Sequence, residues 1–158
     1  MTLFAINIVL AFTWALLIAD ISLGSLASGF LLGSVALWVA SPLFPGEAGY
    51  FRKGYAVIRL IIYFLYELVL SSVRVAWDVL TPTDLSNPKI VEVPLDVETD
   101  AEILLVTNLI SLTPGTLSLD VSPDRKTLYV HAMFADDPEG VCRDIKSGME
   151  KLVKEVFE

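Results

Sequence analysis

Between Met1 and Val39 the chain carries a single charged residue, Asp20. Leu3–Ala19 and Leu23–Ala40 are 17 and 18 residues long, interrupted only by Asn7 and small hydroxyl side chains. At the helical rise each would extend about 26 Å, enough for a slightly thinned hydrocarbon core. Asp20-Ile21-Ser22 is a short polar turn between them. This pattern predicts a tight transmembrane hairpin, since only helices and closed barrels satisfy their backbone polar groups in lipid. A cleaved signal peptide is the rival reading of the first segment. It would need a basic leading region, and here a second apolar span follows at once.

Charge divides the chain. Before Thr81, Asp20, Glu47, Glu67 and Asp78 balance Arg52, Lys53, Arg59 and Arg74, so the remainder carries the whole formal net charge of −8. An acidic tail disfavours nucleic acid and anionic lipid as partners. Cys142 is the only cysteine, which excludes an intrachain disulfide and a cysteine-based metal cluster.

Ser25, Gly29 and Gly33 recur every four residues and line small side chains along one face of the second span. Such a face admits close approach of another helix, either the first span or a neighbouring protein of the membrane. Pro42 and Pro45 break the helix, and Arg52 and Lys53 follow at once. The bias of basic residues toward the cytoplasm puts both ends of the hairpin there.

A third segment, Tyr55–Leu80, is apolar but carries Arg59, Tyr63, Glu67, Ser71, Arg74 and Asp78 at three- and four-residue spacing. On a helix these six fall within an arc of roughly 120°. Lipid would not tolerate two arginines and a glutamate. The helix therefore either lies in the interface or spans with its stripe against protein, and the flat or steeply tilted arrangement is favoured. Glu67 is the one residue that invites a role in proton movement. The plainer expectation is a solvated position or an ion pair with a neighbouring arginine. Arg74 and Asp78, four apart, are spaced to pair along the helix.

The tail reads as strand, helix, strand, strand, helix after a linker at 81–88. Val91, Val93, Leu95 and Val97 alternate with polar residues, and Pro94 assigns that strand to a sheet edge. Thr99 and Glu102 fit a capping box before a helix ending near Ser111. Pro114-Gly115 is a turn. Leu117, Leu119 and Val121 then alternate with Ser118, Asp120 and Ser122, and Pro123–Lys126 leads into a strand over Thr127–Ala135. Asp137 and Pro138 open a last helix with Val141, Ile145, Met149, Leu152 and Val156 on one stripe. The expected fold is thus α+β: membrane helices at about 3–19, 23–40 and 55–80 in a membrane region 1–80, then a small βαββα cytoplasmic domain at 89–158. Its simplest packing is a split βαβ arrangement (half of a ferredoxin-like fold), with the third strand central and both helices on one face. Tyr129, His131 and Met133 then point to the uncovered face, a candidate docking surface. His131 could equally be merely exposed or bonded to the loop.

One histidine and one cysteine leave no metal or cofactor set, and no nucleophile with its base or phosphate-cradling glycine loop can be picked out. Neither enzyme chemistry nor a conduction pathway built by this chain alone is expected. A membrane-anchored interaction subunit remains, with a membrane-tethered sensor or ligand-binding domain as the alternative.

Leu112-Thr113-Pro114-Gly115-Thr116, Asp120 and the Leu128–His131 strand narrow this choice. The run from Ser111 to His131 resembles the signature region of the MrpE (MnhE) family, the E subunits of Mrp-type sodium/proton antiporters, and the layout of the whole chain is similar. The resemblance implies a multi-pass component of the prokaryotic cell membrane, within a complex that exchanges cytoplasmic sodium for external protons. Na+ and H+ would be handled by the complex, whose large subunits resemble the antiporter-like subunits of respiratory complex I. MrpE proteins are not among these, and their implied role is structural or regulatory. On that basis Thr113, Pro114 and Gly115 are expected to set a rigid turn that positions the open sheet face. That face, with His131, would bear on a neighbouring subunit.

Overall fold

The structure is a computed structural model describing residues 3–41, 49–82 and 86–158. The helix-breaking Pro42 and Pro45, and part of the linker, lie outside the described residues. The chain forms two compact units, Met1–Gly54 and Tyr55–Glu158. The boundary falls before the third segment, whereas the sequence divides the chain after it.

In the first unit α1 (Leu3–Leu17) and α2 (Leu23–Val39) are antiparallel and slightly shorter than their apolar runs. The turn is built by Ala19, in the left-handed region at φ 54°, and by Asp20. The Asp20 carboxylate accepts the hydroxyls of Ser25 at 2.6 Å and Ser22 at 3.0 Å, which hold its carboxyl below the usual range. Both helices bury residues at four-residue spacing: Leu3, Asn7, Ala11 and Ala15 on α1, and Ser25, Gly29, Gly33 and Leu37 on α2. A Cβ at Gly29 would lie 2.8 Å from the Ala11 carbonyl oxygen and 2.9 Å from Trp14 Cβ. At Gly33 it would meet the Asn7 amide oxygen. The small-residue face is therefore used within the chain. Asn7, fully buried, donates to Ser34 Oγ at 2.8 Å and to the Tyr50 hydroxyl at 2.9 Å.

The third helix, α3 (Gly49–Leu80), starts at Gly49 rather than Tyr55. Then come β1 (Lys89–Pro94), α4 (Asp100–Leu112), β2 (Thr116–Val121), β3 (Thr127–Ala132), α5 (Pro138–Ile145) and α6 (Lys151–Phe157). The sheet order is β1-β3-β2, and β3 pairs antiparallel with both neighbours. Pro94 thus lies on an edge strand, where its missing N–H costs no ladder bond. Val91, Val93, Leu128, Val130 and Ala132 share one core with Ile103, Val106 and Ile110 of α4 and with Met149, Leu152 and Val153. Leu60 joins that core, and Tyr63 and Phe64 pack against it, which is why α3 groups with the tail.

The α4 capping box is complete: Glu102 N donates to Thr99 Oγ1, and Glu102 Oε2 accepts the Thr99 N–H at 2.9 Å. The Thr99 hydroxyl and N–H hold the Glu102 carboxyl below its usual range.

Two local expectations need correction. The alternation in β2 does not bury Leu117 and Leu119. Ser118 pairs with Val130 and Asp120 with Tyr129, so Leu119 is bulged and both leucines stay about half exposed. Ser118 instead turns toward α4, donating from Oγ to the Thr107 carbonyl at 3.0 Å. The last helix is broken by a π turn at Lys146–Glu150, which brings Glu150 inside to accept the amides of Asp96 and Val97. Asp137 is the N-cap of the last helix and Pro138 its first residue, as expected, and the Asp137 carboxylate pairs with Arg143 at 3.0 Å.

Candidate functional site

The Thr-Pro-Gly-Thr turn solves a problem every helix end poses, since its last carbonyls have no intrahelical partner. Thr113 Oγ1 donates to the Leu109 carbonyl at 2.9 Å, and Thr116 Oγ1 donates to those of Ile110 and Thr113 at 2.7 and 3.0 Å. Pro114 stands just past the C-cap, where it cannot prolong the helix. Gly115 adopts φ +89°, a conformation side chains rarely enter, and its carbonyl accepts the Met133 N–H at 2.8 Å. Two threonines at this spacing, a proline and a glycine therefore stitch α4 to the end of β3.

The turn forms one wall of a cavity of about 330 Å³. The opposite wall is the polar stripe of α3: Tyr63, Glu67, Ser71 and Arg74, one turn apart each or nearly so. Asp144 and Ser147 close a third side. Ser71 Oγ bonds back to the Glu67 carbonyl at 2.5 Å, and Glu67 interacts with the Tyr63 hydroxyl. The cavity thus offers one guanidinium and two carboxylates, with hydroxyls from Tyr63, Ser71 and Ser147, beside apolar lining from Ile110, Phe134 and Met149. Gly148 permits the fit, while Gly115 is required by its backbone conformation. A Cβ at Gly148 would strike the Tyr63 ring and hydroxyl, while at Gly115 it would touch Val75 and Phe134 at 3.6 Å.

Residues singled out together by sequence are separated here. Glu67, Arg74 and Thr113–Thr116 meet at the cavity. Arg59 instead pairs with Glu155 at 2.7 Å, so one arginine expected to partner Glu67 is engaged elsewhere. Arg74, the other, lies along the cavity wall. Tyr129 and His131 lie on the other side of the sheet, because Leu117 faces His131 while Thr116 pairs with Ala132 on the core side. The turn consequently packs on α3 and does not form part of the open sheet face. Gly29 and Gly33 belong to the hairpin. Sequence reasoning missed Gly148, whose signal was a glycine within an amphipathic helix.

The family model for MNHE, a Na+/H+ ion antiporter subunit, matches residues 7–156. The E1 subunit of a Na(+)/H(+) antiporter from Staphylococcus haemolyticus (strain JCSC1435) is 38% identical over 153 residues, spanning 97% of this chain and 96% of the relative. The E subunit of the Bacillus subtilis (strain 168) antiporter is 36% identical over 151 residues, spanning 96% and 95%. A chain in the structure of membrane-bound sulfane sulfur reductase, an archaeal respiratory membrane complex, superimposes with a TM-score of 0.60 at 29% identity, covering 98% of each chain.

Proposed function

The chain belongs to the family of Na+/H+ ion antiporter subunits, and on that premise we propose that it is an accessory, non-pumping member of its complex. It is a membrane protein working with the other subunits of a multisubunit antiporter, a transporter assembly rather than an enzyme. Its own share is assembly and stability of that complex, through its membrane helices and its tail domain.

The observation that carries this reading is where α3 spends its ionisable groups. Arg59 is tied to Glu155, and Glu67 and Arg74 lie on a cavity wall shared with the Thr113–Gly115 turn. A stripe used to seat the chain's own domain supports anchoring over ion conduction, although ionisable residues in membrane segments are by default candidates for transport.

The same arrangement supports an in-plane α3. Its other face presents Ile58, Ile62, Leu65, Val69, Val73 and Trp77, all more than half exposed. With that face in the acyl boundary, the stripe and the sheet domain it carries remain in water. A spanning α3 would draw Asp144 and the sheet into hydrocarbon, at a cost of several kcal/mol per unsatisfied polar group. The tail then stays on the side of Arg52 and Lys53, the cytoplasm.

Glu67→Gln tests the accessory role. Antiport in everted vesicles and the size of the complex on blue-native gels should both match wild type. Loss of exchange in a fully assembled Glu67→Gln complex would instead put Glu67 on an ion path.

A further inference from the structure

We propose that the uncovered face of the sheet docks a basic, amphipathic cytoplasmic segment of a neighbouring integral-membrane subunit. The proposal rests on the subunit reading above and names the surface and the partner chemistry.

Strand register builds the face. Ile90, His131 and Leu117 stand side by side across the three strands, and Glu92, Tyr129 and Asp120 form the next row. The bulge adds an apolar side chain, because Leu119 is the extra residue between Ser118, opposite Val130, and Asp120, opposite Tyr129. Ile90 is 62% exposed, Leu117 49% and Leu119 48%, and the opposite face is buried on β1 and β3 and half-buried on β2. Such an apolar surface, rimmed by charge, marks an interaction site.

Charge chooses the occupant. The only charged side chains in these two rows are the carboxylates of Glu92 and Asp120. An anionic lipid surface would repel them. A second copy related by a two-fold axis would bring the same two acids against themselves, on a chain of net charge −8. Cytoplasmic loops of integral membrane proteins, in contrast, are enriched in Lys and Arg. A loop or interfacial helix of that kind supplies apolar side chains for the Ile90–His131–Leu117 row and a cation for each carboxylate.

The test uses the whole complex in native membranes, with a photo-crosslinking amino acid placed at Leu117 or Tyr129 and, as a control, at Lys151. Mass spectrometry should find the first two sites joined to one Lys/Arg-containing peptide of another subunit, and Lys151 not. The double variant Glu92→Lys, Asp120→Lys should lower that yield about tenfold, with the circular dichroism melt unchanged. Crosslinks to lipid or to a second copy, or yields no better than at Lys151, would overturn the proposal while the complex still copurifies. Purification of the chain without any other subunit would overturn the subunit reading itself, and this inference with it.

Discussion

In the hairpin the inward positions between Leu3 and Leu37 hold Asn7, Ala11, Ala15, Ser25, Gly29 and Gly33, while Phe4, Phe12, Leu16 and Leu31 face outward. In the tail the inward positions hold Val93, Val106, Ile110, Leu128, Val130 and Val153, and among polar residues only Glu102, Thr113 and Glu150 are buried in its described part. The inversion fits the surroundings proposed for each unit. Water drives aliphatic side chains together, so the tail gathers its large ones. Lipid would give no such drive, and a hairpin placed there relies on close backbone approach and on the bonds of Asn7. Glu102 shows how a carboxylate survives in the tail's interior: it is 8% exposed yet accepts from the Thr99 amide and hydroxyl.

Removing one large tail residue tests the tail's dependence on its aliphatic core. Ile110 is 1% exposed, and Ile110→Ala should cost about 3 kcal/mol. In detergent-solubilised chain this should lower the near-ultraviolet melting temperature of the tail by more than about 10 °C, with membrane insertion retained. An unchanged melt would show that the tail does not depend on its aliphatic core.

The complementary change adds volume to the hairpin. Gly29→Val should cost about 1–3 kcal/mol by forcing α2 away from Ala11 and Trp14, and should lower the chain's abundance in membranes. Gly54→Ala is the control, since nothing lies within 4 Å of a Cβ there. Alanine should instead favour the helix by about 0.5–1 kcal/mol. If both substitutions behave alike, close packing is not what holds the hairpin.

A smaller effect separates the units by pH. The folded Glu102 carboxyl is held below its ordinary value of 4.5. Its stabilising share is therefore full above that value and disappears as the pH falls through the lower, folded value. Glu102→Gln keeps the capping-box geometry but removes the charge, so it should lose about 0.3–1 kcal/mol near neutral pH and should flatten the acid limb of tail stability. Hydrogen exchange of the α4 amides across that range reads both, and the hairpin amides should not respond.

Much of this was legible from residues alone. The charge-free run, the Asp20 turn and the four-residue spacing of small side chains describe a hairpin by composition, because lipid leaves few options. Pro94, Thr99 and Glu102 revealed an edge strand and a helix start through local chemistry that needs no distant partner. The destination of the α3 stripe was not legible, because a polar arc is compatible with water, another protein or the chain's own tail. Nor was the inward turn of Ser118, since alternation fails wherever a bulge inserts a residue.

The signature turn divides along the same line. Thr113, Pro114, Gly115 and Thr116 by themselves determined that a helix stops and how its carbonyls are satisfied, since those bonds span only a few residues. That this turn faces Glu67 and Arg74 across a cavity, with Tyr129 and His131 on the other side of the sheet, was decided by tertiary structure. Strand register and the close approach of α3 at Gly148 join residues tens of positions apart, and no local spacing records such contacts.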